Sequence, residues 1–285
     1  MTRQRRGGLS DSRAPGRITV ESADGCQVLA FDEGSGPVTV IVSGGGLDDG
    51  RGYAGLAAQL RSTCRVLRLT RRRYRTDVER SRAVEVKDEA LDVVALAREA
   101  GRPCYLFGHS AGGVVALEAV LAAPECFDAL AVYEPALDLT ELPLGPPSST
   151  LAARRAIDAG HPGQALEIFL RDIAGAPAPA AKLARLLALS PRFRRTLIPG
   201  QIGDAEALEQ LGDRLDQYRG IAQHVLLVGG AKSPAHFGRR LEALDRVLPC
   251  SDLRVLGGAG HTGPVRRASN LAQLLTADIA THVAF

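Results

Sequence analysis

The most reactive arrangement in this 285-residue sequence is a serine set between glycines. The segment Gly108-His109-Ser110-Ala111-Gly112 follows the apolar run "PCYLF" and precedes the apolar run "VVALEAVLAA". A strand–turn–helix setting of this kind favours a sharp turn that exposes the serine oxygen, and small residues two positions to either side avoid collisions. The new helix also begins with free backbone N–H groups beside the serine. We therefore predict that Ser110 is a nucleophile, the alternative being a plain glycine-rich turn.

A serine needs a base to attack at neutral pH, and His261 is the best placed of the six histidines. It lies in "LGGAGHTGP", directly after the last predicted strand. The surrounding glycines permit an exposed loop that reaches over a sheet. A base that follows both the serine and the acid in chain order is typical of this kind of turn. We predict that His261 takes the serine proton.

The base in turn needs a carboxylate that fixes its tautomer and stabilises its protonated form. The loop after "HVLLVGG" reads "AKSPAHF" and holds no acidic residue, with Ser233 about where an acid is common. Glu134, in contrast, ends the predicted strand "FDALAVY" and precedes a proline that rigidifies the chain. We assign the acid to Glu134 and keep Asp138 as the alternative.

A negatively charged tetrahedral intermediate needs backbone N–H donors. The glycines of "VSGGGLD" follow the predicted strand "PVTVIV" and let N–H groups face a ligand with no side chain intervening. We predict the N–H groups of Gly45 and Ala111 as the donors, with Gly46 as the alternative to Gly45.

Four arginines, Arg71, Arg72, Arg73 and Arg75, follow the carboxyl end of the predicted strand "CRVLRLT". This is the side on which α/β sheets bind ligands, and an arginine there can pair with a substrate carboxylate or enolate. The other interpretation is a solvated charge run paired with nearby acidic residues, and both stay open. The positions at which we expect substrate contact are His109, Leu47 and Arg73.

Short apolar runs alternate with segments of helical periodicity along most of the chain. The runs "RITVES" and "CQVLAFDEG" flank an Asp-Gly turn signal and predict a hairpin. Nearly continuous apolar strands that alternate with helices predict an α/β fold, with a mostly parallel sheet covered on both faces. Only helical segments are predicted between about residues 137 and 220, which indicates a helical insertion.

The motifs "VSGGGLD", "GHSAGG", "VYEP" and "GAGHTGP", in that order, resemble those of the α/β-hydrolase superfamily, from about Arg17 onward. The closest likeness is to capped bacterial serine hydrolases whose acid follows strand six. The resemblance implies a core of residues 17–136 and 221–285, a helical cap of 137–220 between strands six and seven, and a flexible leader of 1–16. Two departures are Ser43, where a histidine often opens the glycine motif, and "RRRYRTDVERS", which replaces a glycine-rich loop.

Composition limits the classes of molecule that the protein is expected to bind. The formal net charge is +3, and no apolar run approaches the roughly 20 residues that span a bilayer. The basic N-terminus is followed by no apolar stretch, so no secretory signal is predicted. The five cysteines are scattered without a CxxC pair, which argues against a zinc site or a disulfide framework. We expect a cytoplasmic monomer or homodimer that binds a small molecule, with no metal, cofactor or membrane partner. No nucleic-acid partner is expected either, since few aromatic residues accompany the arginines.

The expected activity is hydrolysis of an ester, thioester or lactone of a small to medium substrate through an acyl-enzyme on Ser110. Two alternatives stay open at the level of sequence. The same machinery can carry out acyl transfer, elimination or cyclisation in a biosynthetic tailoring pathway. A non-catalytic member of the same fold would merely bind a small molecule in the pocket.

Overall fold

A single sheet of eight strands organises the residues that the computed structural model describes, which are 15–46, 50–78, 83–146 and 148–283. Residues 1–14 of the predicted leader and the predicted contact residue Leu47 lie outside these ranges. The strands are β1 (Gly16–Glu21), β2 (Gln27–Gly34), β3 (Val38–Val42), β4 (Arg65–Thr70), β5 (Cys104–His109), β6 (Phe127–Tyr133), β7 (His224–Gly230) and β8 (Ser251–Leu256).

The strand order is β1-β2-β4-β3-β5-β6-β7-β8. β1 and β2 form the predicted antiparallel hairpin, and β2 also runs antiparallel to β4. All remaining neighbours are parallel, which confirms the mostly parallel sheet. Parallel strands end at the same edge of a sheet, so the segments that follow β3, β5, β6, β7 and β8 meet there.

Helices cover both faces of the sheet. They are α1 (Ala54–Leu60), α2 (Val86–Glu99), α3 (Ala111–Ala122), α8 (Ala235–Asp245), α9 (Gly263–Arg266) and α10 (Ala268–His282). Side chains of α1 and α10 pack with Ile41 and Phe107 on one face, whereas those of α2, α3 and α8 pack with Val40 and Leu106 on the other. Since successive strand residues point to opposite faces, the continuous apolar strands supply both cores.

Four α-helices lie between β6 and β7 in the described residues, together with short 3-10 and π-helical turns: α4 (Ser149–Asp158), α5 (Pro162–Ile168), α6 (Ala178–Ala184) and α7 (Ile198–Leu211). They share a small apolar core that includes Ala153, Leu166 and Ile202. The described part of this region contains no strand, only an isolated bridge between Leu139 and Leu142, as its helical periodicity predicts. In the described part of the chain, no helix has the length and apolar character needed to cross a membrane.

Candidate active site

Ser110 lies at the turn from β5 into α3 with φ of 53° and ψ of −124°. Among the described residues, only Ser110 and Glu134 (φ 44°) are non-glycine residues with positive φ. Such backbone conformations cost of order 1–3 kcal/mol and persist only where neighbouring contacts enforce them. The Ser110 N–H donates to the Tyr133 carbonyl at 3.0 Å, and its own carbonyl accepts from the Ala136 N–H at 3.1 Å. The strain is thus held at two of the predicted site residues.

The glycines on either side of Ser110 have a steric role. A Cβ at Gly108 would lie 2.6 Å from the carbonyl oxygen of Gly112, and a Cβ at Gly112 would lie 2.3 Å from the carbonyl oxygen of Ser43. Both distances are far below van der Waals contact. The G-x-S-x-G spacing therefore lets α3 begin directly against the end of β3.

A continuous chain of polar contacts joins Ser110, His261 and Glu134. His261 Nε2 lies 3.2 Å from Ser110 Oγ, and His261 Nδ1 lies 2.7 Å from Glu134 Oε2. The Glu134 side chain is 1% exposed, and its other oxygen accepts from the Gly230 N–H at 2.7 Å. Because an ionised carboxylate only accepts hydrogen bonds, Nδ1 carries the imidazole hydrogen and Nε2 is left to accept a proton from serine.

Two aromatic residues hold His261 in this position. The Phe237 ring stacks on the imidazole with centroids 4.1 Å apart and planes 14° apart. The Tyr133 hydroxyl donates to the carbonyl of Gly260 at 2.8 Å, which ties the histidine loop to the end of β6. The imidazole is thereby fixed by both stacking and the loop that carries it.

The alternative acid, Asp138, makes a different contact. Its Oδ1 accepts from the Leu144 N–H at 2.9 Å, which closes the loop that leads toward α4. Ser233, which stands where an acid is common, has a buried hydroxyl with no hydrogen-bond partner among the described residues. The structure therefore brings Glu134, and not Asp138, into contact with His261.

Two buried tyrosines hold the glycine loop after β3. The Gly44 N–H donates to the Tyr53 hydroxyl at 3.0 Å, and the Gly46 N–H donates to the Tyr74 hydroxyl at 2.8 Å. The N–H of Gly45 donates to no described residue, and the same holds for the N–H of Ala111 at the start of α3. Gly46, the alternative donor, already has a partner within the protein, so the geometry favours Gly45.

His109 lines the cavity above Ser110, at the position where substrate contact is predicted. Its Nδ1 lies 2.5 Å from the Tyr53 hydroxyl, which also accepts from Gly44. This arrangement fits a tyrosine O–H donated to Nδ1 and a hydrogen on Nε2. Burial lowers the pKa of His109 well below its ordinary value, so the ring is neutral beside His261.

The arginines after β4 are buried, so the interpretation as a solvated charge run is wrong. Arg71 is 1% exposed and donates to Asp204 of α7 at 2.6 and 3.1 Å and to Glu89 of α2 at 2.6 Å. Burial disfavours its charge, but Asp204 and Glu89 outweigh that effect and raise the pKa of Arg71 well above its ordinary value. Arg75 makes one of the pairs that the sequence suggested, with Asp77 at 2.9 Å.

Arg73, the third predicted contact residue, faces away from the cavity. Its guanidinium donates to the Gly203 carbonyl at 2.9 Å and lies 3.0 Å from Asp204. It is absent from the residues that line the cavity, whereas Asp204 is present. The prediction that Arg73 contacts the substrate is therefore wrong. A carboxylate of the protein, that of Asp204, pairs with Arg73 in place of the expected substrate carboxylate.

A cavity of about 200 Å³ lies above Ser110 and His261. Its lining is mainly apolar and comes largely from the helices between β6 and β7: Leu144, Leu166, Phe169, Leu170, Ile173, Leu187, Phe193, Ala205 and Leu208. Among its polar members, Arg240 donates to the carbonyls of Leu137 and Pro143, each at 2.8 Å. Burial lowers the pKa of Arg240 to about 10 and that of His236 to about 4. The cavity thus favours an apolar ligand.

One group of possible metal ligands exists among the described residues, far from this site: His224, Asp278 and His282. The two imidazole rings are stacked, with centroids 3.7 Å apart and planes 8° apart. A metal ion bonds a histidine in the plane of its ring, and two parallel planes share no such point. The three side chains as arranged do not form a metal centre. All five cysteines have free thiols.

Several residues of the site have no signal in the sequence. Tyr53, Asp204 and Phe237 occur in segments that carry no motif, and Tyr74 is a lone tyrosine in the arginine-rich loop. Asp204 meets Arg71 only because α7 packs across the end of β4. Asp204 is one of three acidic residues in α7, and its burial is visible only once the packing is known.

Comparison with known proteins agrees with the fold. A family model described as the alpha/beta hydrolase family matches residues 39–274. The chain therefore belongs to the alpha/beta hydrolase family. No curated protein gives a significant match to the sequence.

Solved structures extend the comparison over nearly the whole chain. An alpha/beta hydrolase from Sphaerobacter thermophilus is 25% identical with a TM-score of 0.73, over 90% of this chain and 100% of that one. A thermophilic esterase from Thermogutta terrifontis is 17% identical with a TM-score of 0.72, over 94% and 100%. A 2-hydroxy-6-oxo-6-phenylhexa-2,4-dienoate hydrolase from Rhodococcus sp. is 19% identical with a TM-score of 0.69, over 94% and 100%. For the last two structures, the similarity shows only that the fold is shared.

Proposed function

We propose that the protein is a serine hydrolase that cleaves an ester, thioester or lactone of a small to medium substrate. The observation that carries the proposal is the chain of contacts from Ser110 Oγ to His261 Nε2, at 3.2 Å, and from His261 Nδ1 to Glu134, at 2.7 Å. A nucleophile, a base and an orienting acid within hydrogen-bond reach are what acyl transfer to serine requires.

In the proposed reaction, Ser110 Oγ attacks the acyl carbon while its proton passes to His261 Nε2. Collapse of the tetrahedral intermediate expels the alcohol or thiol, which takes that proton from His261. Water then attacks the acyl-serine and gives a proton to His261, and the second collapse releases the acid and reprotonates Ser110. Glu134 stays ionised and stabilises the imidazolium in both halves. The chain supplies every group that this reaction uses.

The oxygen of each tetrahedral intermediate is proposed to lie between the N–H groups of Gly45 and Ala111. Tyr53 and Tyr74 act as positioning residues, because they engage the N–H groups on both sides of Gly45. Asp204 accepts from the Tyr74 hydroxyl at 2.5 Å and so orients it toward Gly46. The glycine loop is therefore set by contacts from α7 as well as from the core.

The substrate class follows from the cavity. We assign residues 137–220 as a cap over a core of 17–136 and 221–285, because the apolar lining of the cavity comes mostly from residues 144–208 within that segment. An apolar acyl or alkyl group is expected to occupy this space, since mainly apolar pockets bind ligands through burial of apolar surface. The arginines that were expected to pair with an anionic substrate bind Asp204 and Glu89 instead. They therefore give no reason to prefer acyl transfer over hydrolysis.

An activated ester with and without an added alcohol separates these reactions. The proposal predicts release of the free acid at the same rate as loss of ester, in the wild type and not in Ser110→Ala. A product that is mainly the new ester, with little free acid, would contradict hydrolysis and favour acyl transfer.

A further inference from the structure

Four exposed leucines lie close together in the helical region between β6 and β7. Leu183, Leu186, Leu187 and Leu189 are 67%, 59%, 43% and 76% exposed, and together we call them the leucine ridge. Among the described residues only two other large apolar side chains are as exposed. Contiguous apolar surface of this kind marks a site of interaction rather than ordinary surface.

Leu183, Leu186 and Leu189 share one face because of local backbone geometry, whereas Leu187 is turned toward the cavity. The ridge begins in α6 and continues into a 3-10 helix over Arg185–Leu189. Side chains three residues apart eclipse in a 3-10 helix, so Leu186 and Leu189 line up and extend the face that starts at Leu183. The ridge is therefore continuous and is not a set of scattered side chains.

The charges around the ridge have one sign. Residues 173–203 contain five cations, Lys182, Arg185, Arg192, Arg194 and Arg195, and no aspartate or glutamate. All five are exposed. Of these cations, Arg185 pairs with Glu167 of α5 at 3.2 Å. An apolar ridge with an excess of cations around it is complementary to a surface that is apolar within and negatively charged at its edge.

The ridge is continuous with the candidate active site. Leu187 belongs both to the ridge and to the lining of the cavity, and Phe193 joins the same lining. Leu187 therefore connects the exposed apolar surface with the lining of the cavity that contains Ser110. Self-association through the ridge, in contrast, would bring the cations of one copy against those of the other.

We propose that the leucine ridge docks the protein on anionic lipid surfaces, with the leucines inserted and the flanking cations at the headgroups. The proposal goes beyond hydrolysis and departs from the expectation of no membrane partner. It also narrows the substrate of the proposed hydrolase to amphiphiles with an apolar chain. This narrower statement rests on the proposed function, whereas docking itself does not.

The test is co-sedimentation with vesicles of phosphatidylcholine alone and of phosphatidylcholine mixed with phosphatidylglycerol, using wild type and Ser110→Ala. We expect binding to the mixed vesicles in both proteins, weaker binding to neutral vesicles, and loss of binding as salt is raised. Leu183→Ser/Leu186→Ser/Leu189→Ser should weaken the partition about tenfold or more. Leu151→Ser is the matched control, because Leu151 is 53% exposed on α4 outside the ridge, and it should bind like wild type.

Three outcomes would overturn the proposal: no binding to either vesicle, equal loss in Leu151→Ser, or self-association by sedimentation velocity that the triple variant abolishes. Hydrolysis of a water-soluble short-chain ester is measured in parallel. It shows whether the docking proposal fails alone or together with the proposed hydrolase function. The three substituted leucines do not line the cavity, so the triple variant should keep that turnover. Retained turnover with lost vesicle binding supports docking, and lost turnover shows that the fold was damaged and rejects the ridge as a separate surface.

Discussion

At the scale of residues, the contacts of Glu134 determine how the base of the candidate site is oriented. Glu134 is buried, strained in its backbone and bonded to both His261 and Gly230. Strain at a residue that also makes the central contacts is typical of functional sites, where surrounding structure enforces an unfavourable backbone. The same residue therefore fixes the imidazole and anchors it to β7.

Replacing the acid tests its assignment. Glu134→Gln should lower kcat about a thousandfold or more, because an amide no longer stabilises the imidazolium or enforces its tautomer. Asp138→Asn should keep kcat within about threefold of wild type, since Asp138 accepts from the Leu144 N–H and not from His261. Steady-state hydrolysis of one ester measures both. Full activity in the first variant and loss in the second would reverse the assignment.

The Tyr74 hydroxyl offers a second test at this scale. Tyr74→Phe removes the acceptor of the Gly46 N–H, which loosens the loop that positions Gly45. We expect kcat to fall about tenfold while KM changes little, because the contact acts on the transition state rather than on the bound substrate. Tyr218→Phe is the control: Tyr218 is buried, and the charged groups around its hydroxyl are Glu118, Arg214 and Asp213, none of which belongs to the candidate site. Equal effects in both variants would contradict a positioning role.

At the scale of elements, the junction of β3, β5 and α3 presents the serine. Gly112 lies where α3 passes the end of β3, and the space beside it is filled by the carbonyls of Val42 and Ser43. A helix that starts this close to a neighbouring strand holds the Ala111 N–H near the glycine loop. Close backbone packing at this junction therefore acts together with the tyrosine contacts to the glycine loop to position the two candidate donors.

An added methyl group measures how tight this junction is. Gly112→Ala should lower the free energy of unfolding by about 3 kcal/mol, because backbone must shift to admit the Cβ. Gly238→Ala, on α8, is the matched control, since a Cβ there meets nothing within 4 Å. That variant should be neutral or slightly stabilising. Urea unfolding of both variants checks the difference, and equal stabilities would show that the junction is not tightly packed.

At the scale of the whole molecule, buried charges and neutral histidines set the response to pH. Arg71 and Arg73 outweigh the burial of Glu89 and lower the pKa of that carboxyl, so it stays ionised in the folded protein. Burial lowers the pKa of His109 well below its ordinary value and that of His236 to about 4, so both stay neutral when folded. In each case the unfolded chain takes up protons that the folded chain does not.

Stability should therefore fall as the pH falls. The two histidines of the unfolded chain take up protons below about pH 6.5, and Glu89 does so below about pH 4.5. The free energy of unfolding should be greatest above pH 7 and decline steadily toward pH 4. Urea unfolding across this range measures it, with His236→Gln expected to flatten the decline. A stability that is constant or that rises toward pH 4 would contradict these directions.

The sequence carries the parts of the site that follow from chain order. Ser110 and Glu134 come directly after strands, and His261 lies in the loop after β8, so parallel strands must bring all three to one edge. The partners of Arg71 and the glycine loop are different, because Asp204 and Tyr53 reach them only through tertiary packing. Charge patterning suggested solvated arginines, but α2 and α7 bury them with carboxylates of their own. The exposure of the leucine ridge is likewise a property of packing.

Covalent labelling of Ser110 tests the central claim most directly. A fluorophosphonate reacts with a serine that is activated by a neighbouring base, and intact-mass and peptide mass spectrometry locate the adduct. The account predicts one adduct per chain, on Ser110, that is absent in Ser110→Ala and much slower in His261→Ala, all with unchanged far-ultraviolet circular dichroism. Folded wild-type protein that gains no adduct, or gains it at another residue, would contradict the assignment of Ser110 as a nucleophile.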